Sequence, residues 1–180
     1  MVTTRKIIMT AQDIERSLSR MALQIVERNR DEASLAIVGI HTGGVYLADR
    51  VRAIIRQREA IDTPAGNLDI TLYRDDWSLA SQNPVVKKTD LPFSVEGRTL
   101  ILVDDVIFTG RTIRAALDAV MDFGRPKSIQ LAVLVDRGGR ELPIQPDYTG
   151  LAIEVGPHEH IHVLLEENAA KDEVVLEVTP

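Results

Sequence analysis

Short apolar runs alternate with amphipathic stretches along this chain. Residues 35–40, 99–103 and 128–135 are apolar almost throughout, and residues 67–73 alternate between apolar and polar, as buried or half-buried strands do. Helical periodicity predicts helices from the Thr10/Asp13 cap to about Asn29, from Val45 to about Gln57, and from Thr112 to about Phe123. Strands that alternate with helices predict an α/β fold with an open, mostly parallel sheet and helices on both faces.

Two stretches lack any period. Residues 74–93 contain two prolines, and a loop of this length is more often a lid or binding loop than a simple connection, so we name it the lid loop. Residues 136–150 are rich in glycine and proline, and short strands are predicted near 160–165 and 173–178. The chain is therefore expected to fold as one domain over residues 1–180.

Composition narrows the class of protein. Of 180 residues, 44% are hydrophobic and 27% are charged, which is ordinary for a globular domain with a core. No cysteine is present, which excludes thiolate catalysis and cysteine-ligated metals. No signal peptide or run of roughly 20 apolar residues is recognisable, so a cytoplasmic protein is expected. The net charge of −6 means that any nucleic-acid binding requires a local basic patch.

The segment with the clearest chemistry is LILVDDVIFTGRTI, residues 100–113. An apolar strand leads into two adjacent carboxylates, Asp104 and Asp105, and the chain then turns through TGRT into a helix. Ligands of open α/β sheets bind at the carboxyl ends of the strands, and a helix N-terminus favours a phosphate. Because carboxylates accept hydrogen bonds from ribose hydroxyls, this combination predicts a sugar phosphate as ligand.

This segment resembles the phosphoribosyl-diphosphate (PRPP) signature of the type I phosphoribosyltransferases. The segments LAIVGIHTGGVYLADR, LDITLYRDD, GRTIRAALDAVMDFGRPKSIQLAVLVDRGGRELPI and PDYTG resemble, in order and spacing, those of its pyrimidine operon regulators, which are also uracil phosphoribosyltransferases. The resemblance implies a small hood at about 136–160, binding of PRPP, uracil and the nucleotides UMP and UTP, and a pyr mRNA leader stem-loop as partner. It also implies a homodimer or higher homo-oligomer. A purine or orotate phosphoribosyltransferase without an RNA-binding role is the alternative.

The resemblance implies a role for each matching residue. Asp104 and Asp105 would hold the ribose hydroxyls, and Arg74, at the base of the lid loop, would close over the pyrophosphate; we expect these three to be catalytic. Arg137 and Ile161 would lie beside the base. Mg²⁺ would be bound mainly through PRPP, and no metal site made by the protein itself is expected, the alternating histidines of PHEHIH being read as structural. The expected PRPP- and nucleotide-binding set is His41, Thr42, Asp104, Asp105, Val106, Ile107, Phe108, Thr109, Gly110, Arg111 and Thr112.

Two departures from the family pattern matter. Related 6-oxopurine enzymes carry an acid where this chain has Phe108, which favours a pyrimidine base. The pyrophosphate loop, residues 40–44, usually carries a basic residue where Gly43 stands, so one anion contact is lost and catalysis is expected to be weak. His41 would compensate in part, and the peptide in this loop is often cis in related enzymes.

The first predicted helix carries an arginine stripe. Arg16 and Arg20 share one face, and Arg28 lies roughly above them, so these three are the expected RNA-binding residues. Positions that are basic or histidine in RNA-binding relatives are here Leu23, Gly139, Gln145 and Leu151. RNA binding is therefore expected to be retained but weakened or re-specified.

Overall fold

The computed structural model describes residues 4–30, 34–75 and 86–179, which form two sheets and three α-helices. The strands are β1 (Thr4–Thr10), β2 (Leu35–Ile40), β3 (Ala65–Leu68), β4 (Thr99–Ile107), β5 (Ser128–Asp136), β6 (Tyr148–Ala152), β7 (Glu159–Leu164) and β8 (Glu173–Val178). The helices are α1 (Ala11–Arg28), α2 (Gly43–Glu59) and α3 (Arg111–Met121), and a single 3-10 turn covers Thr71–Tyr73. None of the helices in these ranges has the length and apolar character that a membrane span needs.

The main sheet is parallel and has the strand order β3-β2-β4-β5-β6. Alternate residues of the central strands face opposite sides, so Ile37 and Ile101 pack with α1 and α2 while Val38 and Leu102 pack with α3. Both faces are therefore covered, as predicted for the fold class. The cap of α1 also forms as predicted, with a capping box between Thr10 and Asp13.

A second, antiparallel sheet has the order β1-β8-β7 and joins the two ends of the chain. Strand β1 is absent from the sequence-based expectation because its partner β8 lies about 170 residues away and most of its residues are exposed. The hood expected at about 136–160 stays a prediction. Residues 148–152 pair with β5 as the edge of the main sheet, where Tyr148 is buried, and only the start of β7 falls inside that range.

Three element boundaries differ from those predicted. Strand β3 ends at Leu68 because the Asp69 carboxylate accepts a hydrogen bond from Thr71 N at 3.0 Å and turns the chain. Strand β4 continues through the two aspartates to Ile107, because its pairing with β5 runs on after its pairing with β2 has ended. Helix α2 begins inside the predicted HTGG loop.

The end of the predicted lid loop packs on the body of the protein. Asn67 and Asp90 exchange two backbone hydrogen bonds of 2.8 Å, and Leu91 and Phe93 pack against the core on the α3 side. Residues 76–85 of the lid loop lie outside the described residues.

Candidate functional site

A cavity of about 240 Å³ opens where β4 leads into α3. It is lined by Arg74, Asp75 and the continuous segment 106–113, which contains seven of the residues predicted to bind PRPP or nucleotide. The structure thus brings Arg74 close to residues 106–113, although more than thirty residues separate Arg74 from this segment in sequence. The lining does not include Asp104, Asp105, His41 or Thr42, which are described below.

The turn into α3 depends on Gly110, the residue before the helix. Its φ of +92° lies in the left-handed region, which a residue with a Cβ adopts only at a cost. This turn lets Thr109 Oγ1 accept a hydrogen bond from Arg111 N at 3.3 Å and brings the first turn of α3 to the cavity. Backbone amides at a helix start have no intrahelical acceptor, so they are available to an anion.

The Arg111 side chain is engaged with carboxylates. Its Nη1 donates to Asp75 at 2.6 Å and its Nε donates to Glu141 at 2.7 Å. The guanidinium thereby ties the base of the lid loop to the segment after β5. A phosphate-binding role for Arg111 stays a prediction.

Asp104 and Asp105 lie on β4 just beyond its pairing with β2. Asp104 is only 5% exposed, and its Oδ1 accepts a hydrogen bond from Asp105 N at 3.0 Å. Burial raises the pKa of Asp104 well above its usual range, the neighbouring Asp105 raises it further, and the positive charge of Arg74 opposes the shift. Burial also raises the pKa of Asp105, against the hydrogen bond of 2.8 Å from Val106 N. An acid pair of this kind is stabilised by a ligand that donates hydrogen bonds.

The pyrophosphate loop touches this acid pair. The peptide between His41 and Thr42 is cis, as the resemblance implied. A Cβ on Gly43 would lie 2.3 Å from Asp105 Oδ2, so the absence of a side chain at Gly43 is what lets the Asp105 carboxylate approach the loop. Gly43 is therefore the residue of this loop that lies against the acid pair, and His41 and Thr42 precede it in the same loop.

The residues predicted to lie beside the base are only partly brought together. The Arg137 guanidinium lies 4.1 Å from the centre of the Phe108 ring, and its Nη2 donates to the backbone oxygen of Glu159 at 3.1 Å. Its buried Nε has no hydrogen-bond partner, and burial lowers the pKa of Arg137. Ile161 lies on β7 and packs against the core on the α1 and α2 side. Phe108 and Arg137 thus form one surface, and the role of Ile161 stays a prediction.

Arg140 holds this surface in place and was missed by the sequence analysis. Its Nη1 donates to the Phe108 backbone oxygen at 3.0 Å, its Nη2 to Asp136 at 2.6 Å and its Nε to the Ile144 backbone oxygen at 2.9 Å. In the sequence, the only indication of these contacts is that Asp136 stands four residues before Arg140 in DRGGR.

The predicted RNA-binding arginines are largely engaged within the protein. Arg20 donates to the backbone oxygens of Thr149 and Gly150 at 3.2 and 2.6 Å, and Arg28 pairs with Asp147 at 2.6 Å and lies 5.8 Å from the centre of the Tyr148 ring. These contacts pack α1 against β6. Arg16 is exposed on α1.

Residues 5–169 match the model of the phosphoribosyl transferase domain. The chain is 51% identical over 172 residues to the bifunctional protein PyrR of Syntrophobacter fumaroxidans, covering 96% of this chain and 92% of that protein. It is 48% identical over 176 residues to the bifunctional protein PyrR of Deinococcus radiodurans, covering 98% and 96%.

Solved structures with the same fold include two purine phosphoribosyltransferases. A hypoxanthine phosphoribosyltransferase from Trypanosoma cruzi matches with a TM-score of 0.76 and 18% identity, covering 97% of this chain and 95% of that chain. A hypoxanthine-guanine phosphoribosyltransferase from Bacillus anthracis matches with a TM-score of 0.70 and 19% identity, covering 99% and 100%. At such identities these structures establish the fold alone. With the domain match and the similarity over nearly the whole chain, this protein belongs to the phosphoribosyltransferase family, in its group of bifunctional PyrR proteins.

Proposed function

We propose that this protein regulates the expression of a pyrimidine biosynthesis operon by binding the pyr mRNA leader in response to a pyrimidine nucleotide, and that it also catalyses the conversion of uracil and PRPP to UMP and diphosphate. The observation that carries the proposal is the segment 100–113, which places an acid pair beside a helix N-terminus in a chain about half identical to bifunctional PyrR proteins. That arrangement suits a ribose phosphate.

The geometry of the site supports PRPP as the ligand. The 5′-phosphate of PRPP would bind at the start of α3, and its ribose hydroxyls would donate to Asp104 and Asp105. The diphosphate would lie over the pyrophosphate loop, and the base would lie against Phe108 and Arg137. The 5′-phosphate and the diphosphate of PRPP would thus each lie at a group of hydrogen-bond donors.

Mg²⁺ fits this site as an ion carried by the substrate. Among the described residues, no group of three or more carboxylates or histidines is arranged to hold a metal. Oxygens of PRPP, completed by water, would supply the all-oxygen donor set that Mg²⁺ prefers. When bound, the ion would neutralise charge on the diphosphate.

The residues of the chain would act mainly by positioning. Nitrogen of the base forms a bond to the anomeric carbon of PRPP as the bond to diphosphate breaks, through a transition state with oxocarbenium character, and the proton of that nitrogen passes to diphosphate or to water. The Asp pair and the α3 amides would fix the ribose phosphate, while Arg74 and backbone amides of the pyrophosphate loop would stabilise the departing charge.

A panel of bases tests the catalytic half of this proposal. Uracil, orotate, hypoxanthine and guanine are each incubated with PRPP and Mg²⁺, and nucleotide formation is measured. Uracil is expected to be the substrate, because Phe108 offers no carboxylate that could relay a proton from a purine. A better rate with hypoxanthine or guanine would favour the purine alternative.

A further inference from the structure

Lys87 contacts the pyrophosphate loop. Its Nζ donates a hydrogen bond of 2.8 Å to Thr42 Oγ1, although 45 residues separate the two in sequence. The lysine side chain is exposed, so this contact is made at the open surface of the site. A lysine ammonium has three donors, and a single bond to a hydroxyl leaves two for another acceptor.

The loop itself is short of positive charge. Gly43 has no side chain, its place being taken by the Asp105 carboxylate, and residues 40–44 contain no lysine or arginine. The two aspartates beside the loop add negative charge, which disfavours a bound diphosphate. Lys87, held at Thr42, is a cation from elsewhere in the fold that can balance this charge in addition to Arg74 and Mg²⁺.

A buried carboxylate fixes the position of Lys87. Asp69, 9% exposed, accepts hydrogen bonds from Lys87 N at 2.5 Å and from Thr71 N at 3.0 Å. The next threonine, Thr89, accepts from Asp69 N at 3.0 Å through its Oγ1. The backbone on both sides of Lys87 is therefore anchored to the end of β3, which lies next to the pyrophosphate loop.

We propose that Lys87 is a diphosphate-binding residue, which supplies from outside the pyrophosphate loop the positive charge that Gly43 does not provide. The inference rests on the proposed function and deepens it, since it assigns a further residue to the diphosphate of PRPP. Thr42 orients the Lys87 ammonium by accepting one of its hydrogen bonds, and the other two N–H groups of the ammonium bind phosphate oxygens.

Three variants test this assignment. Lys87→Gln removes the charge, Lys87→Arg keeps it, and Lys88→Gln makes the same change at the neighbouring exposed lysine. Binding of inorganic diphosphate with Mg²⁺ and binding of UMP are measured by calorimetry, and KM is measured for PRPP and for uracil. Thermal melting verifies that each variant is folded.

The expected result is selective for diphosphate. Lys87→Gln weakens diphosphate binding and raises KM for PRPP by about tenfold, the order of effect for a hydrogen bond to a charged group. UMP binding and KM for uracil change by less than about twofold, because neither ligand carries the diphosphate. Lys87→Arg restores most of the affinity, and Lys88→Gln resembles the wild type.

Two results would overturn the assignment. If Lys87→Gln and Lys88→Gln have the same diphosphate affinity, Lys87 has no special role. If Lys87→Gln weakens UMP binding as much as diphosphate binding, the lysine acts on the site as a whole. A wild-type protein that binds neither PRPP nor diphosphate would instead contradict the proposed function, so the two failures are distinguishable.

Discussion

Asp104 and Asp105 are adjacent carboxylates, and the first of them is almost completely buried. Burial and mutual repulsion raise the pKa of Asp104, which means that its ionised form lowers the stability of the free protein. Binding sites often hold a charge that is unfavourable in the free protein and that the bound ligand stabilises. The pair is therefore expected to cost stability and to provide affinity.

Replacing both aspartates by asparagine is expected to abolish PRPP binding and leave the fold intact. Asparagine keeps a side-chain oxygen for the hydrogen bond from Asp105 N but lacks the charge that favours ribose hydroxyl donors. Calorimetry with PRPP measures the loss, and circular dichroism verifies the fold. Unchanged PRPP affinity would contradict the ribose-binding role.

The same variant has a testable pH dependence. A carboxyl whose folded-state pKa is raised binds more protons when folded, so wild-type stability rises as the pH falls from that raised pKa towards the unfolded value of 3.8. The asparagine variant lacks this titrating carboxyl, so it is expected to melt at a higher temperature than the wild type at pH 7. The difference should shrink on acidification; a constant difference between pH 7 and pH 4 would contradict it.

Arg74 lines the cavity, and its charge acts on Asp104. Arg74→Ala is expected to lower kcat by about 10²-fold, the usual cost of losing one group that stabilises developing charge. KM for PRPP should change by less than about threefold, because the contact strengthens as diphosphate departs. Steady-state kinetics separates the two, with Arg58→Ala at the end of α2 as the control. A KM that rises as much as kcat falls would make Arg74 only a binding residue.

At the scale of elements, the two sheets are joined through α2. Arg50 of α2 pairs with Glu167 at 2.6 Å, and its Nη2 donates to Asp172 at 2.9 Å, both acids lying between β7 and β8. The Arg50 side chain is 24% exposed and the Asp172 side chain 13% exposed, so water screens these bonds less than at an open surface. These ion pairs hold the connection between β7 and β8 against α2, which packs on the main sheet.

Arg50→Ala is expected to destabilise the protein by about 1–2 kcal/mol, because two carboxylates lose a bidentate partner. This corresponds to a fall in Tm of about 3–6 °C for a domain of this size. Arg56→Ala, an exposed arginine on the same helix, is the control and should melt within about 1 °C of the wild type. Equal melting of the two variants would show that the pairs contribute nothing.

At the scale of the whole molecule, net charge and the arginine contacts bear on RNA binding. The protein carries a net charge of −6, and Arg20 and Arg28 hold α1 against β6. Those contacts leave Arg16 as the predicted RNA-binding arginine that packs least against other elements. We expect RNA binding that is weaker than that of a fully basic stripe, or that has a different specificity. We also expect a preference for a stem-loop with unpaired bases.

A gel-shift titration with the protein's own upstream leader, with and without UMP, measures this binding. Arg16→Ala should weaken it without a change in Tm and should make the salt dependence shallower by about 0.7–0.9 in the log–log slope for each lost phosphate contact. Arg28→Ala should lower both binding and Tm, because it breaks the pair with Asp147. Binding no tighter than to a scrambled RNA at physiological salt would leave only the catalytic function.

The sequence by itself determined the parts of this protein that depend on local pattern. Apolar runs and helical periodicity predicted the parallel sheet and its three helices, and Thr10 with Asp13 predicted the start of α1, because caps and periodicity act over a few residues. The segment 100–113 was recognisable because strand, acids and helix start are contiguous there.

The tertiary structure decided what depends on residues far apart in sequence. Strand β1 exists because β8 pairs with it from the other end of the chain, and β4 extends past its acids because β5 does. Tertiary packing likewise brought Lys87 to Thr42 and Arg20 to the backbone of β6. Side-chain contacts between such distant residues leave no periodic signal in a sequence, since each needs only one residue of the right charge at the right place in space.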